Sequence, residues 1–85
     1  MKVSEFEENA WQVEGIRIVL RANPDSVVED YDYKNAADER WRVTELIEKR
    51  ITTRINGIFT MVLQGNGKEP HGGILLKNIR IGYAD

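Results

Sequence analysis

The chain has 85 residues, 41% hydrophobic and 31% charged, with a formal net charge of −2. That size and balance describe one small globular domain, residues 1–85, and not a disordered chain. There is no cysteine, which excludes disulfides, iron–sulfur clusters and thiolate zinc sites.

The charge is unevenly spread. Residues 1–39 carry four basic and ten acidic groups, a balance of −6, and residues 40–85 carry eight basic and four acidic groups, a balance of +4. The two halves either neutralise each other across the fold or present faces of opposite sign to charged partners. The first residues, MKVSEFEENAW, are acidic and do not read as a secretory signal. No apolar run approaches the roughly 20 residues of a membrane span. A cytoplasmic location, no membrane contact and no cofactor are the expectations.

In chain order, residues 1–12 read as an N-terminal arm or a short helix. Ser4 and Glu7 have the spacing of a capping box, and Phe6 and Ala10 are four apart. Val13 to Ala22 reads as a strand because Ile16, Ile18 and Leu20 alternate with Arg17, Val19 and Arg21. Gly15 interrupts the phase and predicts a bulge. Asn23-Pro24-Asp25-Ser26 is a turn by composition. Residues 27–33 alternate again, with tyrosines favouring a strand and acids favouring an edge. Residues 13–33 are therefore expected to form a β-hairpin.

The clearest period lies in Asn35–Arg50, NAADERWRVTELIEKR. Val43, Leu46, Ile47 and Arg50 share one helical face, with Trp41 at its border. Asn35 or Asp38 supplies a cap. The rest of the chain is expected to organise around this helix, with Ile47 buried against a sheet. Residues 51–55 read two ways. Asn56-Gly57 between β-branched runs signals a hairpin, while Ile47, Ile51 and Ile55 would continue the helical stripe to a left-handed cap at Gly57. The hairpin is the preferred reading. Gln64–Gly73 is a loop, and Ile74–Tyr83 reads as a final strand with Ile79, Ile81 and Tyr83 on one face.

The expected class is α+β: a small antiparallel or mixed sheet covered by one helix, in ββαβββ order. That order is the layout of a β-grasp, or ubiquitin-like, architecture. No residue motif assigns the chain to a family, and the C-terminus lacks paired terminal glycines.

Three constellations invite a functional reading. Glu29, Asp30, Tyr31, Asp32 and Tyr33 place carboxylates beside tyrosines on an expected edge. Such a surface suits a basic protein partner, because tyrosine buries area at low entropic cost. Arg40, Arg42, Lys49, Arg50 and Arg54, with Trp41 nearby, offer phosphate contacts and stacking, so a nucleic-acid-binding module is the alternative. The loop GNGKEPHGG, residues 65–73, is site-like through its glycines, Lys68 and His71, yet it lacks the spacing of a phosphate loop. A ligand-binding domain or small enzyme using that loop is the third reading. No nucleophile, metal set or oriented histidine is marked out. The leading expectation is a non-catalytic protein-protein interaction domain, regulatory or inhibitory or a subunit of an assembly. Homo-oligomerisation through an open sheet edge is also allowed.

Overall fold

The computed structural model describes residues 1–55 and 57–83. Chain order is α1 (Val3–Glu14), β1 (Arg17–Leu20), α2 (Val43–Leu46) running directly into a π-helical turn (Ile47–Ile51), β2 (Thr60–Leu63) and α3 (Leu76–Gly82). The class is α+β, with three helices and a two-stranded antiparallel sheet. These elements do not give the ββαβββ order or a β-grasp layout.

The N-terminal arm is a twelve-residue helix that carries much of the core. Val3, Phe6 and Ala10 are buried at offsets of three and four, and the next position of that stripe is Glu14, also buried. The reach-back that starts the helix comes from Glu5, whose carboxylate accepts the Lys2 N–H at 3.1 Å, and not from the expected Ser4–Glu7 pair. Gly15 is no bulge. Its φ of +66° ends α1 in the left-handed conformation, with its N–H donated to the Trp11 carbonyl at 2.9 Å.

β1 alternates as its sequence predicts, with Ile18 and Leu20 buried. Its partner is not residues 27–33 but β2, in the register Arg17–Leu63, Ile18–Val62, Val19–Met61 and Leu20–Thr60. The turn at 23–26 does form: Ser26 donates to the Asn23 carbonyl, and the Asn23 side chain accepts from Asp25. The chain then returns to α1 instead of to β1. Val28 donates to the Met1 carbonyl and Val3 to the Ser26 carbonyl, each at 2.8 Å, around an isolated Lys2–Val27 bridge. Tyr31 then turns into the core. The expected hairpin over 13–33, and the edge strand within it, are therefore absent.

Residues 35–42 are not helical; the helix starts at Val43. The carboxylate of Glu45 accepts the Arg42 N–H at 3.1 Å, and Val43 and Thr44 donate to the carbonyls of Ile74 and Gly72. The helix then widens: Thr52 donates to Ile47, five residues back, at 2.8 Å. That wide turn brings Leu46 and Ile51, five apart, both into the core and leaves Ile47 half-buried, against expectation. Residues 51–55 are thus helix end and turn, not a strand. Gly57 has the positive φ, +71°, that both readings of this region required; Asn56, the other half of the expected turn, lies outside the described residues.

The last segment is a helix rather than a strand. Leu76 and Ile79 are buried at helical spacing, and Ile81 is exposed. Leu76 and Lys77 donate to the carbonyls of Trp41 and Glu39. The leads into α2 and α3 therefore satisfy each other's free amides, a pairing of segments that no local propensity signals.

Candidate functional site

Two features stand out: a buried ionic cluster centred on Glu14, and an open cleft beside residues 27–29. Glu14 has no exposed side-chain surface. Its two carboxylate oxygens accept from the Tyr31 hydroxyl at 2.5 Å, Arg50 at 2.6 Å, the Ala37 N–H at 2.8 Å and Arg80 at 3.1 Å. Arg80 also donates through Nε to the Glu14 carbonyl at 2.7 Å, and Arg50 to the Asn35 carbonyl at 2.7 Å. One acid thus ties α1, the 31–37 segment, the π-helical turn and α3 together. Burial pushes the Tyr31 phenol far above its ordinary value, and the bond to Glu14 adds to that. Burial disfavours the Arg50 cation, but the bond to Glu14 and its charge outweigh this and hold Arg50 above its ordinary value. The Arg50 guanidinium also lies 4.3 Å from the centre of the Tyr33 ring. The cluster satisfies its own polar groups, none of its residues lines the cleft beside residues 27–29, and its bonds fix the fold.

Tyr31 is only 2% exposed and packs edge-on against Phe6 and Tyr33, so it cannot serve as a surface anchor. Tyr33 is half-buried beneath Arg50 and Arg54. Glu29, Asp30 and Asp32 do stay at the surface. Asp30 lies 3.1 Å from the terminal amine, and Asp32 lies 3.2 Å from Arg54.

The basic residues are dispersed among internal partners. Arg40 is forked onto Asp38, whose carboxyl that contact holds below its ordinary value. Arg42 donates to the Gly73 carbonyl at 2.7 Å, and Lys49 pairs with Glu45 while lying over Trp41. Arg50 and Arg54 are engaged as described above. The loop 65–73 is spent on structure at its far end. The Gly72 carbonyl accepts from the Thr44 hydroxyl at 2.9 Å, and His71 Nδ1 accepts from the Gly73 N–H at 3.0 Å.

The cleft was not foreseen. It encloses about 650 Å³ and is lined by Val27, Val28, Glu29, Thr52, Thr53, Arg54, Ile55 and Ile58. Val27 stands at its rim, 81% exposed. Ser26 directs its C=O to Val3, and Val28 directs its N–H and C=O to Met1, so the N–H and C=O of Val27 face the other way, as does the N–H of Glu29, which donates to the Arg54 carbonyl. Among the described residues Val27 has no backbone hydrogen-bond partner. A β-branched, exposed residue after a proline turn was the available signal, masked by the expectation of a hairpin.

Among the described residues, no helix is long and apolar enough to cross a membrane. No family model, no curated protein and no solved structure matches this chain.

Proposed function

We propose that the chain is a non-catalytic protein-binding domain that receives an extended, basic segment of another protein along residues 25–32. The observation that carries this reading is Val27, exposed at the cleft rim with its backbone groups unpaired among the described residues. An extended backbone with free groups is a template for a further strand, and the adjacent cleft, whose lining mixes Val27, Val28, Ile55 and Ile58 with Glu29, Thr52, Thr53 and Arg54, receives alternate side chains. Glu29 stands exposed beside the edge, and the carboxylates of Asp25, Asp30 and Asp32 stay exposed around it while pairing with Lys2, the terminal amine and Arg54; together they favour a basic partner and speed its approach. Tyr31, buried in the core, stiffens this segment from below instead of contacting the partner.

The test is a kinetic binding assay with an acetylated, amidated Lys-Val-Lys-Val-Lys-Val peptide at two salt concentrations. The parent should bind, with association slowed by salt. Val27→Pro removes an N–H that the fold does not use and should abolish binding, and Glu29→Lys should slow association several-fold. Binding that is indifferent to both substitutions, or no binding by the parent, contradicts the proposal.

A further inference from the structure

Among the described residues β1 and β2 make up the whole sheet. The odd-numbered residues bond across it, as the Arg21 N–H donated to the Phe59 carbonyl shows, so the backbone groups of Ile18, Leu20 and Val62 face the outer edges. Those edges are closed within the chain. Glu7 accepts the Leu20 N–H at 2.9 Å, and Ile18 and Val62 are only 2% and 1% exposed. A partner therefore meets this sheet through its outer face and not by adding a strand.

The odd positions point away from the core: Arg17, Val19 and Arg21 along β1, and Phe59, Met61 and Leu63 along β2. Phe59 is 64% exposed, and Val19, Met61 and Leu63 are half-buried outside the core cluster. The even position Val62 is buried in the core, so β2 is apolar on both faces, the pattern of a strand covered on both sides. Trp11 and Tyr83, edge-on at 5.2 Å, flank the face at its Leu63 end, where the Tyr83 hydroxyl donates to the Leu63 carbonyl. Two cations lie across this apolar surface. The Arg17 guanidinium is 4.9 Å from the centre of the Trp11 ring, and Arg21 reaches the Met61 sulfur at 3.5 Å. Both arginines are exposed, and among the described residues neither forms an ion pair.

We infer that this face docks an acidic amphipathic helix of another protein. A helix laid on a sheet is a usual way to bury an apolar sheet face. One helix, about 10–12 Å across, spans two strands about 4.8 Å apart. From Phe59 to Leu63 the face runs roughly 13 Å, the length of about nine helical residues. Its leucine-like stripe would cover Val19, Phe59, Met61 and Leu63. Arg17 and Arg21 both stand on β1, so the carboxylates of the partner lie along one flank of that stripe. The charge pattern disfavours a polyphosphate. Glu7 and Glu8 line a groove of about 250 Å³ with Trp11, Arg17 and Val19, and a nucleic-acid strand following the arginines would pass both carboxylates. A helix with acids on one flank and small residues on the other meets the arginines and leaves that groove alone. The inference concerns a second surface and is independent of the edge at residues 25–32.

The test uses the whole chain and an acetylated, amidated peptide of two Glu-Leu-Ala-Glu-Leu-Leu-Lys repeats, whose leucines form one helical stripe with glutamates along one flank. Calorimetric titration should show saturable binding by the parent, and circular dichroism should show the peptide gaining helix in the complex. The same peptide with glutamate and lysine exchanged should bind about tenfold more weakly or worse. Arg21→Glu should weaken binding of the acidic peptide about tenfold, and Phe59→Ala about fivefold, each with the parent's own circular dichroism and melting temperature kept, since both side chains are exposed. Val27→Pro should leave this binding unchanged, which separates it from the edge at residues 25–32. No binding by the parent at millimolar peptide, equal binding of the two peptides, indifference to both Arg21→Glu and Phe59→Ala, or tighter binding of oligothymidine or of phosphatidylglycerol vesicles than of the acidic peptide would overturn the inference.

Discussion

Replacing Glu14 with alanine removes the one anion on which two guanidiniums, a phenol and a backbone N–H converge. Removing one partner of a buried ion pair costs about 3–5 kcal/mol, because the other charge is left desolvated. Here the stranded cations have partial escape: the side chains of Arg50 and Arg80 are 16% and 22% exposed and can turn toward water. The Tyr31 hydroxyl and the Ala37 N–H have none, since both are buried. The lower half of the range, about 3–4 kcal/mol, is therefore expected. A domain of this length has about 4–13 kcal/mol in total, so the loss is large. Urea unfolding followed by fluorescence of Trp11 and Trp41 should show a midpoint lowered by about 2 M or more, for a slope near 1–1.5 kcal/mol per M. Glu14→Gln keeps the shape without the charge and should cost roughly half as much. A Glu14→Ala midpoint within about 0.5 M of the parent, at equal slope, would refute the claim that this residue ties the four segments together.

Leu46→Ala should cost about 2–5 kcal/mol, whereas Ile47→Ala should cost only about 1 kcal/mol; equal losses would count against the π-helical turn that sets their burial. Tyr31→Phe should destabilise the domain by about 1 kcal/mol at neutral pH, by taking a donor from Glu14. The unfolded phenol ionises near its ordinary value of 10.0 while the buried one stays neutral, so the parent loses stability as pH rises above that value. The gap between parent and variant in melting temperature should therefore narrow from pH 9 to pH 11, and a constant gap would contradict the burial of Tyr31. Gly65→Ala would put a Cβ 2.2 Å from the Gly82 carbonyl oxygen, so the end of α3 must shift; a loss of about 1–3 kcal/mol is expected, and an unchanged melting temperature would count against that close approach.

The sequence was legible wherever a residue's partner lies nearby in the chain. The alternation Ile18–Leu20, the Asn23–Ser26 turn and the face shared by Val43 and Leu46 needed only local chemistry. It misled where partners are remote. Residues 74–83 are rich in β-branched side chains, and their helix exists because Glu39 and Trp41 receive its first amides. Residues 27–33 alternate like a strand, but the core claims Tyr31 as a donor for Glu14. The cluster itself left a readable trace. Glu14 falls in phase with Val3, Phe6 and Ala10, and Arg50 shares a face with Val43 and Leu46. A charged residue on each of two apolar stripes implies that the two meet. The cleft left less trace, since it forms between segments whose shapes are set by tertiary bonds.

The most direct test of the binding account is a backbone-amide NMR titration of the chain with the Lys-Val peptide at low salt. The account predicts saturable shifts confined to residues 25–32 and 52–55, shrinking as salt is raised. Shifts centred on the basic residues between Arg40 and Arg50, or none at all, would contradict it.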